Sequence, residues 1–352
     1  MLFRSNSELT WEKQFETNVG FDLGLWNNRV SIIVDAYQRN GFDLIGQIKT
    51  SGIGGEFFKN ANYADMKSQG VDFGFAATVL DYKDFSWKTN FNYGFNKNEI
   101  TKLKSLPLIY DLTRPEGGPR EGYSVRGIFS LDFQGLNDKG IPTLINEEGE
   151  KGTIVDIQSQ TIKYLKYEGP RDPTYFGGFS NTFNYKAFSL NVFMSFQGGN
   201  KVRLDPVFTE GTSNGVVQGG YTDLAATPRE ISNRWVLPGE ETITNIPSFL
   251  GRPNDTKLAT SEFPYTAYNV SSVRVVNGDF ARLKNVSLGY TLPAPLVKKM
   301  GLKGLTIRAS AANLMLLYSD KKLYGQDPEF FGSGGVALPI SRQITFSIKA
   351  SI

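Results

Sequence analysis

Apolar and polar residues alternate along several long stretches of the chain. In residues 344–352 every second residue is apolar, and residues 85–96 carry bulky apolar or aromatic side chains at every odd position except Thr89. An alternation with period two predicts a β-strand with one apolar and one polar face. By itself, the terminal stretch fits either the last strand of a soluble sandwich or the last strand of an outer-membrane β-barrel, whose closure removes both sheet edges.

The same alternation recurs in pairs of segments joined by tight turns, which predicts β-hairpins. The turns lie at residues 26–29, 82–84 and 186–187. Together with the alternating segments 280–292, 305–313 and 342–352, they predict about nine strands. Several of these strands have about a dozen residues or more, against about five or six for most strands of soluble proteins.

The two faces of the predicted strands differ in chemistry. One face carries Phe, Trp, Tyr, Leu and Val, and the other carries Asn, Ser, Gly, Asp and Lys. This contrast favours an all-β fold, a transmembrane antiparallel β-barrel, because a barrel exposes its apolar face to lipid and its polar face to a watery lumen. We therefore expect the odd-numbered residues of 85–95 and the even-numbered residues of 188–196 to face lipid.

Aromatic residues beside the tight turns are consistent with a membrane interface. Trp26, Tyr82, Phe85 and Trp87 lie within a few residues of these turns. Trp and Tyr are enriched at membrane–water interfaces, where the ring is half apolar and half hydrated. Each of these rings is equally compatible with an ordinary core position, so the girdle is an interpretation of the group.

Short and long connections alternate along the chain. The long ones are residues 41–68, 100–173 and 201–278, which are rich in Gly, Pro, Asn and charged residues. Bacterial outer-membrane barrels have short periplasmic turns and long extracellular loops, so we expect the long connections to lie outside the cell and to carry function. The short-side connection 293–301 starts at Pro293 and ends at Gly301, which predicts one or two helical turns at the periplasmic rim.

Composition excludes several classes of function. The 352 residues contain no His and no Cys, which rules out Ser-His-Asp triads, Cys-His dyads and histidine-ligated metals. The carboxylates Glu147, Glu148 and Glu150 could do acid/base work or hold calcium, but a solvated acidic turn is the expected reading. We therefore expect no enzyme, no metal site and no cofactor. The net charge of +3 argues against nucleic-acid binding, which favours a basic stripe. Residues 1–8 lack the apolar core of a signal peptide, so we expect an exported barrel to be preceded by further residues or to be part of a longer polypeptide.

A series of short motifs follows in order from one end of the chain to the other. Together they resemble the C-terminal half of a SusC/RagA-type TonB-dependent outer-membrane transporter of Gram-negative bacteria. The motifs are Leu9-Thr-Trp-Glu-Lys13, Gln69-Gly-Val-Asp-Phe73, Tyr175-Phe-Gly-Gly-Phe179, Gly278-Asp-Phe-Ala-Arg282, Ala312-Asn-Leu314, Tyr324-Gly-Gln-Asp-Pro328 and Ala337-Leu-Pro339.

The resemblance implies a barrel of about 22 strands, of which this chain supplies roughly the last nine. Residues 1–352 would then be one domain, the C-terminal part of the barrel, and the plug domain and TonB box would lie outside this chain. Sheet edges cannot stay unpaired in lipid, so the strand at residues 12–25 must pair with a strand of the same polypeptide or of another chain. The family's terminal strand is an insertion signal, which here corresponds to Phe346, Ile348 and Ile352.

The function implied by the resemblance is active import of oligosaccharides or peptides across the outer membrane. The implied partners are a SusD-like surface lipoprotein, membrane lipid, and TonB-ExbB-ExbD acting through the missing N-terminal part. A structural or accessory barrel subunit without import activity is the alternative, and a soluble carbohydrate-binding sandwich is a more distant one. The sequence fixes neither the substrate nor the oligomeric state.

Aromatic residues in the long loops are the candidates for ligand contact, because rings can stack on a sugar or peptide face. Packing within the loops is the alternative for each of them. Four arginines in the third long loop could grip an anionic ligand or pair with Asp205, Glu230 and Glu240. The aromatic candidates are Phe57, Tyr63, Tyr123, Trp235, Tyr265 and Tyr268, and the arginines are Arg203, Arg229, Arg234 and Arg252.

Overall fold

The computed structural model describes residues 9–50, 52, 55, 57–153, 157, 160–207, 229–248, 264–329 and 341–352. Arg252 and the motif Ala337-Leu-Pro339 lie outside the described residues. Within them, no helix is both long enough and apolar enough to cross a membrane.

Most of the chain forms strands, with short helices in the connections. The strands are β1 (Lys13–Leu25), β2 (Val30–Lys49), β3 (Phe58–Tyr82), β4 (Phe85–Leu103), β5 (Gly127–Ser130), β6 (Phe133–Leu136), β7 (Pro142–Ile145), β8 (Lys151–Gly152), β9 (Lys166–Pro170), β10 (Tyr175–Tyr185), β11 (Phe188–Gly198), β12 (Lys201–Arg203), β13 (Val275–Asn277), β14 (Phe280–Thr291), β15 (Gly304–Ser319) and β16 (Gln343–Ser351). The α-helices are α1 (Ile109–Thr113), α2 (Pro264–Asn269) and α3 (Ala294–Lys299), and 3-10 helices cover Ile162–Tyr164, Arg229–Asn233, Glu240–Thr242, Ser272–Arg274 and Lys321–Leu323.

Nine strands form one sheet in the order β1-β2-β3-β4-β10-β11-β14-β15-β16. Every pair of neighbours is antiparallel. The nine strands and the three hairpins predicted from the alternation are confirmed. The edge strands β1 and β16 do not pair with each other in the described part of the chain, so the sheet does not close on itself as a small barrel.

The register places apolar side chains of all the inner strands in one row across the sheet. Leu23 pairs with Ile32, and the pairing continues through Phe75, Phe91, Phe179 and Met194 to Leu283 and Met315. Phe91 lies at the centre of this row, with ring centroids 6.1 Å from Phe73, 6.4 Å from Phe179 and 6.2 Å from Phe196. The two residue sets that were predicted to share the apolar face therefore lie on the same face.

The opposite face carries polar side chains that bond to one another across strands. The Asn96 amide donates to the Tyr37 hydroxyl at 2.9 Å and to Ser68 Oγ at 3.1 Å. Asn184 donates to Ser86 Oγ at 3.0 Å, and Arg39 pairs with Glu16 at 3.1 Å between Nε and Oε2. A face built in this way is stable in contact with water.

The prediction of a long loop at residues 41–68 is wrong. Strand β2 runs on to Lys49 and β3 starts at Phe58, so the two strands of this hairpin are the longest in the sheet. The register shifts between Gly41 and Leu44, and Asp43 has a φ of 56°. Such a bulge inserts an extra residue, which breaks the alternation in the sequence while the pairing of the strands continues.

At the other end, the short connection before β15 has the predicted helix. Helix α3 begins directly after Pro293, and Gly301 has a φ of 72°. Pro293 is the N-cap and Pro295 lies in the first helical turn, where the missing N–H of proline has no partner to lose. Glycine adopts a positive φ without steric penalty.

The two longest connections pack together into one body, here called the loop unit (the described residues of 104–174 and 199–279). Its backbone links the two connections, since the Leu131 N–H donates to the Val270 carbonyl at 3.2 Å and the Ser272 N–H donates to the Leu131 carbonyl at 2.9 Å. Small sheets β5-β9, β6-β7-β8 and β12-β13 lie within it. Its largest core cluster comprises Ile109, Leu112, Phe129, Leu131, Leu144, Ile157, Leu165 and Ala267.

Candidate functional site

The antiparallel topology separates the two kinds of connection. The tight turns after β1, β3 and β10 and the α3 connection lie at one end of the sheet, and the loop unit lies at the other. Two cavities lie where the strand ends on the loop-unit side meet the loop unit.

The first cavity, here called the Tyr63 pocket, has a volume of about 450 Å³. The ends of β2 and β3 nearest the loop unit form one wall, and residues at and after the end of β4 form the other. The extension of β2 and β3 beyond the bulge is what brings the wall up to the loop unit. The lining residues are Gln47, Lys49, Phe58, Tyr63, Leu103, Ser105, Leu106, Pro107, Asp111, Arg114, Gly117 and Pro119.

A charged cluster forms one side of the Tyr63 pocket. Lys49 Nζ lies 2.6 Å from Asp111 Oδ2, and Arg114 Nη2 lies 2.8 Å from Asp111 Oδ1. Burial acts to raise the pKa of Asp111, but hydrogen bonds from Lys49 and the Leu108 N–H, with the charges of Lys49 and Arg114, lower it overall. Asp111 is therefore ionised at neutral pH, and the cluster carries one net positive charge.

A second cavity of about 490 Å³ lies between the end of β4 and the loop unit, next to Tyr123. The Tyr123 ring packs against Tyr167 and Phe129, with centroids 4.7 and 5.2 Å apart. Below it, Ser124 Oγ donates to Asn98 Oδ1 at 2.9 Å. Tyr123 thus contacts the core of the loop unit and also lines the cavity.

The remaining aromatic candidates lie apart from these two cavities. Phe57 is 70% exposed and does not line the Tyr63 pocket, although its neighbour Phe58 does. The Trp235 Nε1–H donates to Glu241 Oε2 at 3.0 Å. The structure does not bring the six predicted rings together into one site.

Tyr265 and Tyr268 are core residues of the loop unit, with exposures of only 4% and 2%. The Tyr265 hydroxyl donates to the Ser248 carbonyl at 2.9 Å, and burial raises the pKa of Tyr268 to about 12. Protein atoms cover both rings, which gives them a packing role. Ligand contact by Phe57, Tyr63, Tyr123 and Trp235 stays a prediction.

Arg203 also has a structural role rather than an exposed binding position. Its guanidinium is buried and donates to the Phe129 carbonyl at 2.6 Å and to Ser130 Oγ at 3.1 Å. Burial lowers the pKa of Arg203 to about 10. Arg274, which sequence reasoning did not single out, is the partner of Glu230, with 2.5 Å between Nη1 and Oε2.

The motif glycines have a steric explanation in this fold. A β-carbon at Gly70 would overlap the Phe95 carbonyl oxygen and the Tyr37 hydroxyl. At Gly177 it would meet the Asn92 carbonyl and the Phe196 ring, and at Gly178 it would come within 2.9 Å of the Phe193 ring. Gly70 and Gly177 face a backbone carbonyl oxygen, so only glycine fits there without a backbone shift, whereas the atoms nearest Gly178 belong to side chains.

Two other motifs meet in a buried ion-pair network. Arg282 on β14 lies 2.5 Å from Asp327 and 2.8 Å from Glu329, and Glu329 lies 3.0 Å from Lys284. The side chains of Arg282 and Asp327 are each 5% exposed. This network fastens the connection after β15 to the sheet.

Comparison with known proteins finds similarity over nearly the whole chain. No protein-family model matches it. TonB-dependent receptor P3 of Formosa agariphila is 25% identical over 342 residues, which are 92% of this chain and 31% of that protein. TonB-dependent receptor SusC of Bacteroides thetaiotaomicron is 24% identical over 363 residues, which are 99% of this chain and 32% of that protein.

Among solved structures, the RagAB peptide transporter superposes with a TM-score of 0.75 at 26% identity, over 99% of this chain and 36% of that chain. Over nearly its whole length the chain is similar to part of the SusC/RagA-type TonB-dependent receptors. It spans about a third of the length of the relatives it matches. The family consists of outer-membrane β-barrel transporters rather than enzymes, so the fold class and the membrane location that were expected of a SusC/RagA member are confirmed.

Proposed function

We propose that this SusC/RagA-like chain forms part of the wall of an outer-membrane importer of oligosaccharides or peptides. Residues 1–352 would supply the C-terminal part of its barrel, with the plug domain and the TonB box in sequence outside this chain. The observation that supports the proposal best is the two-faced sheet that follows the RagAB transporter over 99% of the chain. Its apolar face suits lipid and its hydrogen-bonded polar face suits a lumen.

The partners follow from the same proposal. A SusD-like lipoprotein would cover the end that carries the loop unit. TonB-ExbB-ExbD would act from the opposite end through the plug. The RagAB structure pairs two components in one peptide transporter, and this supports a two-component arrangement for the present chain.

We place the first contact with the imported solute at the Tyr63 pocket. A tyrosine ring can stack on a sugar or peptide group, while Gln47, Lys49 and Arg114 offer hydrogen-bond donors. The volume of about 450 Å³ is within the usual range of about 300–1,000 Å³ for small-molecule sites. Asp111 holds both cations in position.

Uptake by whole cells tests the proposal. A strain without the gene should lose growth on one class of oligosaccharide or peptide as sole source, and the intact gene should restore it. Tyr63→Ala should lower uptake of that solute by about 5–30-fold, as expected for a lost hot-spot contact of about 1–2 kcal/mol. Tyr164→Ala is the matched control, because Tyr164 is a loop tyrosine outside the pocket.

The accessory-subunit alternative makes the opposite prediction. If the chain only builds a larger outer-membrane assembly, deletion should change the composition of the purified complex and leave growth on every tested solute unchanged. Loss of uptake with both tyrosine variants would point to loop misfolding and not to a binding role for Tyr63.

A further inference from the structure

Five aromatic residues stand side by side at the end of the sheet that carries the tight turns. Tyr82 pairs with Phe85, Phe85 with Tyr185, Tyr185 with Phe188, and Phe188 with Tyr290, so that they occupy five neighbouring strands. The ring centroids of Phe188 and Tyr290 are 4.7 Å apart. The row lies on the apolar face, and Tyr82, Tyr185 and Phe188 are exposed. This is the arrangement of a ring belt at a membrane–water boundary.

Two lysines lie directly beyond this aromatic row. The turns read Tyr82-Lys83-Asp84-Phe85 and Tyr185-Lys186-Ala187-Phe188, and they are neighbours, since the Lys186 N–H donates to the Asp84 carbonyl at 2.8 Å. Lys83 Nζ lies 5.6 Å from the Tyr82 ring centroid, and Lys186 Nζ lies 5.4 Å from that of Tyr185. Each turn therefore places a lysine ammonium group beside the ring of the tyrosine that precedes it in the chain.

Both lysines occupy a backbone conformation that favours glycine. Their φ values are 40° and 54°, and a side chain in this region is uncommon outside Asn, Asp and His. Glycine is the residue that two-residue hairpin turns usually select. A lysine at both positions places a charge where the conformation alone would favour a residue without a side chain.

Further cationic residues lie at the same end of the sheet. The residues that link the strands here, 26–29, 83–84, 186–187 and 292–303, contain six cationic residues and one acidic residue, Asp84. Five of these six cationic residues are lysines, and none of the five forms an ion pair within the described part of the chain. Arg29 differs, because its guanidinium donates to the carbonyls of Thr78 and Val79 at 2.8 and 3.0 Å. We call the five the basic rim: Lys83, Lys186, Lys298, Lys299 and Lys303.

We propose that the basic rim binds the phosphate groups of anionic glycerophospholipids in the membrane leaflet on the tight-turn side. Charge complementarity selects this occupant. The aromatic row reaches the acyl–headgroup boundary, and the lysine stems extend past it into the headgroup layer, where each ammonium group meets a phosphate. The proposal rests on the outer-membrane location of the family and is independent of what the importer carries.

Native mass spectrometry of the full-length receptor, purified in detergent, tests the proposal. The probes are phosphatidylglycerol and phosphatidylethanolamine with identical acyl chains. Wild type should retain phosphatidylglycerol preferentially, and the preference should fall with added salt. Each lysine that is neutralised should weaken the binding of phosphatidylglycerol by about fivefold, so K83Q with K186Q should weaken it by about 25-fold.

Matched variants separate lipid binding from folding. K83R with K186R keeps the charges and should keep the preference. K139Q with K151Q removes two exposed lysines from the loop unit at the other end and should also keep it. Heat-dependent mobility on gels reports a folded barrel for each variant. Equal binding of the two lipids by wild type, or an unchanged preference in a folded K83Q/K186Q variant, would overturn the proposal.

Discussion

The nine-stranded sheet and the loop unit use apolar residues in opposite ways. In the inner strands of the sheet, large apolar side chains point outward, so that Phe188 is 50% exposed and Leu288 is 49% exposed. In the loop unit, Leu112, Phe129 and Leu144 are fully buried. Among the buried apolar residues of the described chain, only Ala64, Ile100 and Phe280 belong to strands of the large sheet.

This difference shows that the loop unit is adapted to water and the apolar face of the sheet is adapted to lipid. The loop unit gains stability by removing apolar surface from water, as a soluble domain does. Among the described residues, no protein core packs behind the apolar face of the sheet, so its side chains gain most when lipid covers them. Changes in the two regions should therefore have separable effects, on membrane insertion for the sheet and on loop structure for the loop unit.

Removal of the last strand should have the largest effect. Deletion of residues 346–352 would leave backbone groups of β15 unpaired, since β16 pairs with β15 from Ala312 to Gly304, and such groups are not tolerated in lipid. We expect the deletion to abolish accumulation in the outer membrane, measured by fractionation. Ile352→Asp should only weaken it, because a charge near the interface is tolerated better than one at the midplane. Normal levels of the deletion variant would rule out a role of Phe346, Ile348 and Ile352 in insertion.

A cavity in the loop unit should be the next largest change. Phe129→Ala should destabilise the loop unit by about 3–5 kcal/mol, because the Phe129 ring is fully buried. We expect faster proteolysis of the loops on intact cells and unchanged amounts of inserted barrel. Loss of the inserted protein itself would mean that the loop unit and the sheet do not fold independently.

A charge on the apolar face tests the sheet in the converse way. Phe91→Arg should lower the stability of the inserted barrel by about 2–4 kcal/mol if residue 91 lies near the bilayer midplane. Asn92→Arg is the matched control, since Asn92 is its exposed neighbour on the polar face. Urea titration in lipid vesicles measures both. Equal losses would show that neither face contacts lipid.

The smallest effect should come from pH in the loop unit. Burial raises the pKa of Glu168, although Lys166, Arg203 and Lys201 act against it. Because the folded pKa lies above the unfolded one, the stabilisation is present below the unfolded pKa and is lost as the pH rises through the folded value. Loop protection from hydrogen exchange should thus fall between acidic and neutral pH, and Glu168→Gln should reduce that fall. Glu148→Gln, at an exposed turn, should leave it unchanged.

The sheet was predictable because short stretches of sequence determine its strands and their pairing. Each strand such as Phe85–Leu103 carries its two faces in its own alternation, and turns as short as Lys186–Ala187 leave no choice of partner. The same rule failed at residues 41–68. There the bulge at Asp43 shifts the parity of the strand, and the sequence no longer alternates although the ladder of hydrogen bonds continues.

The loop unit was not predictable in the same way. Its core joins Leu112, Phe129 and Ala267, which no periodic pattern connects, and the pair Lys49–Asp111 links residues 62 positions apart. Tyr265 and Tyr268 did carry a signal that could have been used. Spaced by three after Pro264, they share one face of the short helix α2, and a helix has to bury such a face.

The height of the β2–β3 hairpin divides its residues between two tasks. At about 3.4 Å per residue, the 20 residues of β2 span roughly 65 Å along the strand, whereas the apolar band of a barrel is only about 25 Å tall. Even at a strand tilt of about 40°, residues above the bulge therefore lie beyond the acyl chains, at the end of the sheet where we propose that solutes bind. Variation in this upper part, which includes Gln47, Lys49 and Tyr63, can alter what the protein recognises without disturbing how it sits in the membrane.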